Sequence, residues 1–382
     1  MARKVSEDKP NKIKLSQGKI DIAFLSFVLI LLTIGLVMLF SASYAFSYTY
    51  YENSFHFILR QTIFAAVGLI AMFITSRIDY HIYKKFSWIL YALCIAMLAF
   101  LLIMPPMMPN LDVKRWLAIG SFSFQPSEIA KFSIVVLFSH LISVNYKLMD
   151  KFKFILFLVF LLAAICVLVV LEPHISATLL ILLIGVVLMI VGGLSAKYII
   201  GGSVTVVALG LIAYFSGIIG YGSDRIKYWI DPWADASGLG YQTIQSLLAI
   251  GSGGIMVRGI GQSRQKYLWV PEPHNDFIFS IVCEELGLIG ATVIILLFCA
   301  LVWRGFTIAL KAPDKFGSLL AVGLTFQVGL QAILNILVVT NTLPNTGISL
   351  PFFSYGGTSL VILLAQMGIV LSISRQSSLQ KL

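Results

Sequence analysis

Charge is scarce in this chain. Asp, Glu, Lys and Arg make up 12% of 382 residues, about half of the roughly 25% that a soluble domain carries. A soluble globular protein is thereby excluded. Cysteine is equally thin. Cys94, Cys166, Cys283 and Cys299 each fall inside an apolar run without metal-like spacing, so neither a disulfide framework nor a zinc site is implied. No Walker loop, zinc pattern or serine-hydrolase elbow occurs. The apolar runs do not alternate as barrel strands do, and no internal repeat is sustained. The first run lacks a small-residue cleavage site and reads as an uncleaved span rather than a signal peptide.

What is abundant is hydrophobicity, at 59% of residues and a mean hydropathy of +0.94. Runs of about 17–25 apolar residues recur along the chain, the length that crosses a bilayer as a helix. The pattern predicts an all-α polytopic membrane protein with ten spans, at 20–43, 57–75, 86–104, 126–144, 154–171, 175–191, 198–219, 277–303, 316–340 and 353–373. Lys and Arg near span ends favour the N-terminal side by about two to one, which puts both termini in the cytoplasm. Residues 1–19 then form a basic cytoplasmic tail, 20–375 the membrane domain and 376–382 a second tail.

The cations that break this rule are clustered. Lys114, Arg115 and Lys131 flank one outer loop, while Arg225, Lys227, Arg258, Arg264 and Lys266 lie in the large loop 221–275 between the seventh and eighth spans. Attraction to lipid headgroups explains a single outer cation; two loops of them point to an anionic, lipid-borne substrate. A structureless loop of about 55 residues is rare, so this one is expected to be functional and partly ordered. Within it, 238–254 reads as an interfacial or re-entrant helix, with Leu247, Leu248 and Ile250 as its apolar side and Gln242 and Gln245 as its polar side.

The stretch from Trp269 to Phe279 carries most of the chemistry. It places Asp276 in the first turn of the eighth span, at the lip of the bilayer, beside Glu272 and His274. An ionisable residue there is costly and reads first as functional, although a helix start also favours a carboxylate. Glu285 reads as a structural group paired within the bundle, and Glu284 is left open. Glu128 and Lys131 share a helix face and can pair, or Lys131 and Arg115 can meet a phosphate. Glu172-Pro173-His174 lines the same cavity or forms a tight turn. Pro344 to Gly347 and Pro351 to Thr358 frame the entrance to the last span, while His56, His81 and His140 read as incidental.

Taken together, these residues resemble the SEDS family, the FtsW, RodA and SpoVE group. The similar segments are Lys114-Arg115-Trp116, Gln125-Pro126-Ser127-Glu128 with Lys131, Glu172-Pro173-His174, Asp231-Pro232-Trp233, 240–246, 249–254, 271–285 and 350–357, in order over nearly the whole chain. Ser246-Leu247-Leu248 and Ser263-Arg264-Gln265-Lys266 are closer to the division and sporulation branch. Asn275 departs from the Thr common there, which bears on subtype rather than chemistry.

The resemblance implies a ten-span peptidoglycan glycosyltransferase that polymerises lipid II on the outer face of the bacterial cytoplasmic membrane. It implies Asp276 as the catalytic residue, in the role of general base. Lys114, Arg115, Glu128, Lys131, Arg258, Arg264, Lys266 and His274 are the expected substrate-binding set, and Glu172, His174, Glu284 and Glu285 the structural polar set. A divalent cation such as Mg2+ or Mn2+ could assist the diphosphate, but no dedicated carboxylate cage is visible. Expected partners are lipid II and lipid-linked glycan, a class B penicillin-binding protein and other division proteins; nucleic acid is not expected. The rival classes are a lipid II flippase and a division scaffold. The stripe Gly317, Ala321 and Thr325 could dock a partner's span or pack inside the bundle.

Overall fold

The computed structural model describes residues 18–104, 115–119, 122–202, 227–238 and 240–379. Within them the chain folds as α1 (Ile22–Tyr51), α2 (His56–Arg77), α3 (His81–Ile103), a hairpin of β1 (Leu117–Ile119) and β2 (Phe122–Phe124), α4 (Pro126–Val144), α5 (Phe152–Leu171) and α6 (Ile175–Val191). There follow α7 (Tyr241–Gly253), α8 (Ile278–Leu310), α9 (Lys315–Val339) and α10 (Gly357–Leu379). Eight of the described helices are long and apolar enough to cross a membrane, and α6 is a shorter apolar helix. The chain is an all-α polytopic membrane protein, with the hairpin as a minor addition. Most of the expected seventh span, residues 203–219, lies outside the described residues, as do Lys114, Arg225 and the first 17 residues.

The helices sort by how much apolar surface they hide. α4, α9 and α10 are mostly buried, whereas α2 and α3 leave most of their surface to lipid. α9 is the central post, packed on α8, α4, α6 and α10. Small residues permit this density. A Cβ at Gly368 in α10 would lie 2.3 Å from the Met72 carbonyl of α2. The stripe Gly317, Ala321 and Thr325 faces the core, with Gly317 against the Tyr80 ring and Thr325 against Gly305 of α8. That surface is therefore not available to a partner.

Two ionic bands bracket the bundle. At one end Asp21 caps α1 and holds Arg304 of α8 at 2.8 Å. At the other, Ser41 of α1 donates to Glu285 of α8 at 2.7 Å. Twenty residues of helix separate Asp21 from Ser41, which is about 30 Å at 1.5 Å per residue, the thickness of a hydrocarbon core. His81, unremarkable in sequence, belongs to the Asp21 end, where its ring nitrogens meet Asp79 at 2.7 Å and Asp314 at 2.5 Å.

α8 is broken at Gly287, whose backbone (φ 63, ψ −171) interrupts the helix. The segment after α7 fills the break. Arg258 and Gly259 N–H groups donate to the Glu285 carbonyl, and Leu288 and Ile289 donate to the carbonyls of Gly254 and Ile255. A Cβ at Gly287 would lie 2.5 Å from the Met256 carbonyl, so the crossing needs glycine there. α7 lies against the first part of α8, with Gly253 pressed on the Cys283 carbonyl. Its buried side is Ile244, Gln245, Ser246 and Ala249, while Leu247 and Leu248 are exposed. Close contact with α8 selects small residues on the packed side, and most of the apolar side named above is left facing outward, as an interfacial helix allows.

Glu284 and Glu285 hold the returning loop. Glu285 accepts from Lys266 Nζ at 3.0 Å and from the Ser263 N–H; Glu284 accepts from the Ser263 hydroxyl and from the Arg264 N–H at 2.9 Å. Both carboxylates are fully buried, as is Lys266. Breaking a buried pair strands the remaining charge at a cost of about 3–5 kcal/mol. Lys266→Met should lose that much stability in detergent thermal unfolding, while Met at the exposed Arg264 should change it by less than about 0.5 kcal/mol. Equal effects of the two substitutions would show that the ion pair does not hold the loop.

Candidate active site

A cavity of about 480 Å3 opens at the Glu285 end of the bundle, within the size range of ligand pockets. Arg115 enters it from the segment before β1, Tyr228 and Trp229 from a helical turn, Tyr241 and Gln242 from the start of α7, and Asp276 from the approach to α8. Residues 345–347 of the α9–α10 connection close it. The walls are fixed by hydrogen bonds. Trp229 Nε1 donates to the Asn341 carbonyl at 3.0 Å, and Asn341 Nδ2 donates back to the Trp229 carbonyl at 3.2 Å. Asn345 Nδ2 donates to Gln242 Oε1 at 3.0 Å.

Asp276 is held by its backbone. Its carbonyl accepts from Asn335 Nδ2 at 2.7 Å, the Asn275 carbonyl from the Ser354 hydroxyl at 2.8 Å, and the His274 carbonyl from the Tyr355 N–H at 2.8 Å. Three successive carbonyls are thus gripped by α9 and the connection to α10, and the side chain is left to the cavity. Its carboxylate makes no hydrogen bond or ion pair among the described residues and borders Gly347, where a Cβ would sit 3.1 Å from Oδ2. Gly347 has φ +70, so glycine is required there both for conformation and for clearance. Asp276 precedes the helix rather than lying in its first turn. Phe277 is the N-cap residue, with non-helical backbone, and α8 begins at Ile278.

Burial raises the Asp276 carboxyl to about 6, and Glu272 adds to the rise while Arg115 opposes it. A carboxylate with a pKa near 6 is a stronger base than an ordinary aspartate and is still ionised at neutral pH, the compromise a general base needs. Arg115 Nη2 donates to the Pro173 carbonyl, which aims the guanidinium from the α5–α6 turn. The cavity therefore combines one basic carboxylate, one guanidinium suited to phosphate, three aromatic rings and paired side-chain amides. Rings and amides together suit the apolar faces and hydroxyls of a sugar.

Of the expected substrate-binding residues that are described, only Arg115 lines this cavity. Lys131 is 1% exposed and paired to Glu128 at 2.8 Å, and Glu128 faces a separate inner cavity of about 30 Å3. Lys266 is consumed by Glu285. His274 is 3% exposed, its ring packed on Phe57 and Phe46 at 4.2 and 4.9 Å, and burial lowers its pKa to about 4, so it is neutral. Arg258 and Arg264 are exposed on the loop surface, apart from the cavity. Glu172 and His174 cap the turn beneath Arg115. Tyr228, Trp229, Asn335 and Gly347 carry no sequence signal of their own beyond the Gly/Pro punctuation around 344–347. Among the described residues no three His, Cys, Asp or Glu side chains converge as metal ligands.

A bundle of apolar helices with a polar cavity at one end defines a multi-pass membrane protein. The chain belongs to the cell cycle protein family FtsW/RodA/SpoVE, whose family model matches residues 22–379. It is 39% identical over 365 residues to Stage V sporulation protein E of Bacillus subtilis strain 168, covering 94% of this chain and 97% of that one. It is 36% identical over 360 residues to a protein of Geobacter sp. strain M18 named probable peptidoglycan glycosyltransferase FtsW, covering 93% and 96%. The same fold occurs in a structure described as a peptidoglycan synthase complex coordinating polymerization and crosslinking (TM-score 0.80, 24% identity, 94% and 98% covered). It also occurs in the rod shape determining protein RodA of Thermus thermophilus (TM-score 0.70, 24% identity, the same coverage).

A reaction that uses Asp276 as base loses rate when that carboxylate is protonated. Because its pKa is raised, kcat/KM should fall about tenfold per pH unit below about 6. An acid limb centred near 4, the ordinary aspartate value, would show that Asp276 is not the titrating base.

Proposed function

We propose that this chain is a peptidoglycan glycosyltransferase that polymerises lipid II on the outer face of the cytoplasmic membrane. The observation that carries the reading is the shared cavity of Asp276 and Arg115, walled by aromatic rings and amides, at the lip of a membrane bundle. In this arrangement the cavity end is extracytoplasmic and both termini are cytoplasmic. The ten spans comprise the nine apolar helices described above and the segment 198–219, and the large loop joins the seventh to the eighth. Similarity to the sporulation and FtsW proteins supports a role in septal or spore wall synthesis.

The reaction joins two lipid-linked sugars. The 4-hydroxyl of the acceptor attacks the anomeric carbon of the growing glycan, and Asp276 takes the hydroxyl proton as the new C–O bond forms. The bond from the anomeric carbon to the diphosphate breaks, and undecaprenyl diphosphate leaves with the electron pair, inverting the centre. Arg115 stabilises the charge that gathers on the diphosphate oxygens. The expected partner is a class B penicillin-binding protein, which would crosslink the new strand. The complex structure that shares this fold is described as joining polymerization to crosslinking, which supports that pairing.

The test is polymer formation from labelled lipid II by the purified chain with its transpeptidase. Wild type should yield glycan polymer. Asp276→Asn should lower the rate by about 10²–10⁴, the usual loss on removing a general base, with an unchanged melting temperature. Polymer output close to wild type from folded Asp276→Asn protein would sink the assignment.

A further inference from the structure

The large loop presents a surface that the cavity does not use. Arg258 and Arg264 are exposed, lie outside the cavity lining, and their side chains make no hydrogen bond or ion pair among the described residues. Lys266, the third cation of this stretch, is buried against Glu285. Residues 254–270 include no Asp or Glu, so the exposed charge there is positive. Both arginines are fixed in depth through their backbones. The Arg258 N–H donates to the Glu285 carbonyl at 3.0 Å, and the Arg264 N–H to the Glu284 carboxylate at 2.9 Å. Ser41 meets Glu285 at the same level, about 30 Å along α1 from Asp21. That level is the edge of a hydrocarbon core.

Around the arginines the surface is apolar. Ile255, Met256, Val257 and Ile260 are each more than half exposed. The strip continues onto α8, because the N–H groups of Leu288 and Ile289 donate to the carbonyls of Gly254 and Ile255 and both side chains are exposed. Tyr267 and Trp269 are exposed further along, ring types that collect where hydrocarbon meets headgroups. Water disfavours so large an apolar patch, and hydrocarbon disfavours guanidinium. Only the boundary between them suits both. We propose that residues 254–269 form a docking surface for anionic phospholipid in the leaflet at the cavity end, with Arg258 and Arg264 on headgroup phosphates. The guanidinium fork matches phosphate oxygens. A zwitterionic headgroup offsets its phosphate with its own ammonium, whereas an anionic one leaves the charge for the two cations. The occupant is bilayer lipid rather than a lipid-linked saccharide, because neither arginine lines the cavity. Bound headgroups would hold from outside the loop that Glu284 and Glu285 hold from inside, whatever reaction the cavity performs.

The test places the full chain in nanodiscs of phosphatidylcholine with a minor share of phosphatidylglycerol, one lipid or the other brominated on its acyl chains. Bromine quenches tryptophan at short range, and subtracting the Trp269→Phe signal isolates Trp269. Wild-type Trp269 should be quenched preferentially by brominated phosphatidylglycerol. Each arginine should contribute about fivefold to that preference, the ratio for one cation near an anionic surface, and Arg258→Gln/Arg264→Gln should lose both factors. Equal quenching by the two lipids in wild type, or full preference in the folded double variant, would overturn the proposal. Should the double variant fail to fold, wild type decides: its preference should shrink in 1 M salt, where the Debye length is about 3 Å, and a preference unmoved by salt would overturn the role of charge. Added lipid II should leave the preference intact. Its loss would show that the arginines hold substrate diphosphate and would overturn the choice of occupant.

Discussion

Two adjacent carboxylates at the edge of a bilayer have to be satisfied, and most of the architecture around the cavity follows from how Glu284 and Glu285 are satisfied. Left unpaired at that depth, each would cost several kcal/mol. The chain answers by folding its large loop back on them. Ser263 is the pivot, giving its N–H to one carboxylate and its hydroxyl to the other, and Lys266 closes the pair with Glu285 and Ser41. Once 258–266 is pinned there, the intervening chain can only return to α8 through the short path that ends at Asp276. The break at Gly287 belongs to the same solution, because the loop backbone completes the hydrogen bonds that the interrupted helix leaves open.

The grip on Asp276 from the opposite side is entirely neutral. Asn335, Ser354 and the Tyr355 N–H bind three consecutive carbonyls, and among the described residues no charged group bonds to the aspartate backbone. This division matters for chemistry. A base held by ion pairs through its carboxylate would lose basicity, whereas one held through its backbone keeps its side chain free and its pKa raised. Rigid placement with an unengaged reacting group is what preorganised catalysis requires. α9 supplies Asn335 and is the most buried of the described membrane-length helices, so Asp276 is referenced to the core of the bundle.

Hydropathy made the spans legible, since apolar runs of membrane length have few other readings. The end of α1 ran on to Tyr51, beyond the expected 43, because its Ser- and Tyr-rich last turns are helical without being apolar. The Glu128–Lys131 pair was legible from i,i+3 spacing, and Asp276 from its cost. The fate of the loop cations was not. Arg264 and Lys266 differ by two positions, yet one is exposed and the other buried; sequence shows that a loop is basic but not which cation meets the carboxylate of a distant helix. Which side of α7 packs on α8 was not legible for a related reason. Hydrophobicity marks a surface that avoids water, and in a membrane protein lipid serves that purpose as well as the core does. The walls at Tyr228, Trp229 and Gly347 are uncharged, and only folding brings them to one place.

The charges of this protein therefore divide into two populations by partner. Those that hold the frame are paired: Asp21 with Arg304 at the rim, and Glu128 with Lys131 and Glu285 with Lys266 inside the bundle. Around the cavity, by contrast, the Asp276 and Glu172 carboxyls find no hydrogen-bond partner among the described residues, and Arg115 donates to the neutral Pro173 carbonyl. Leaving two buried carboxyls without hydrogen bonds is unfavourable for folding, and burial raises the pKa of both. Two carboxyls held without hydrogen bonds at one end of the bundle cost stability that the buried ion pairs elsewhere do not, the kind of expense that collects where a protein works rather than where it is held together.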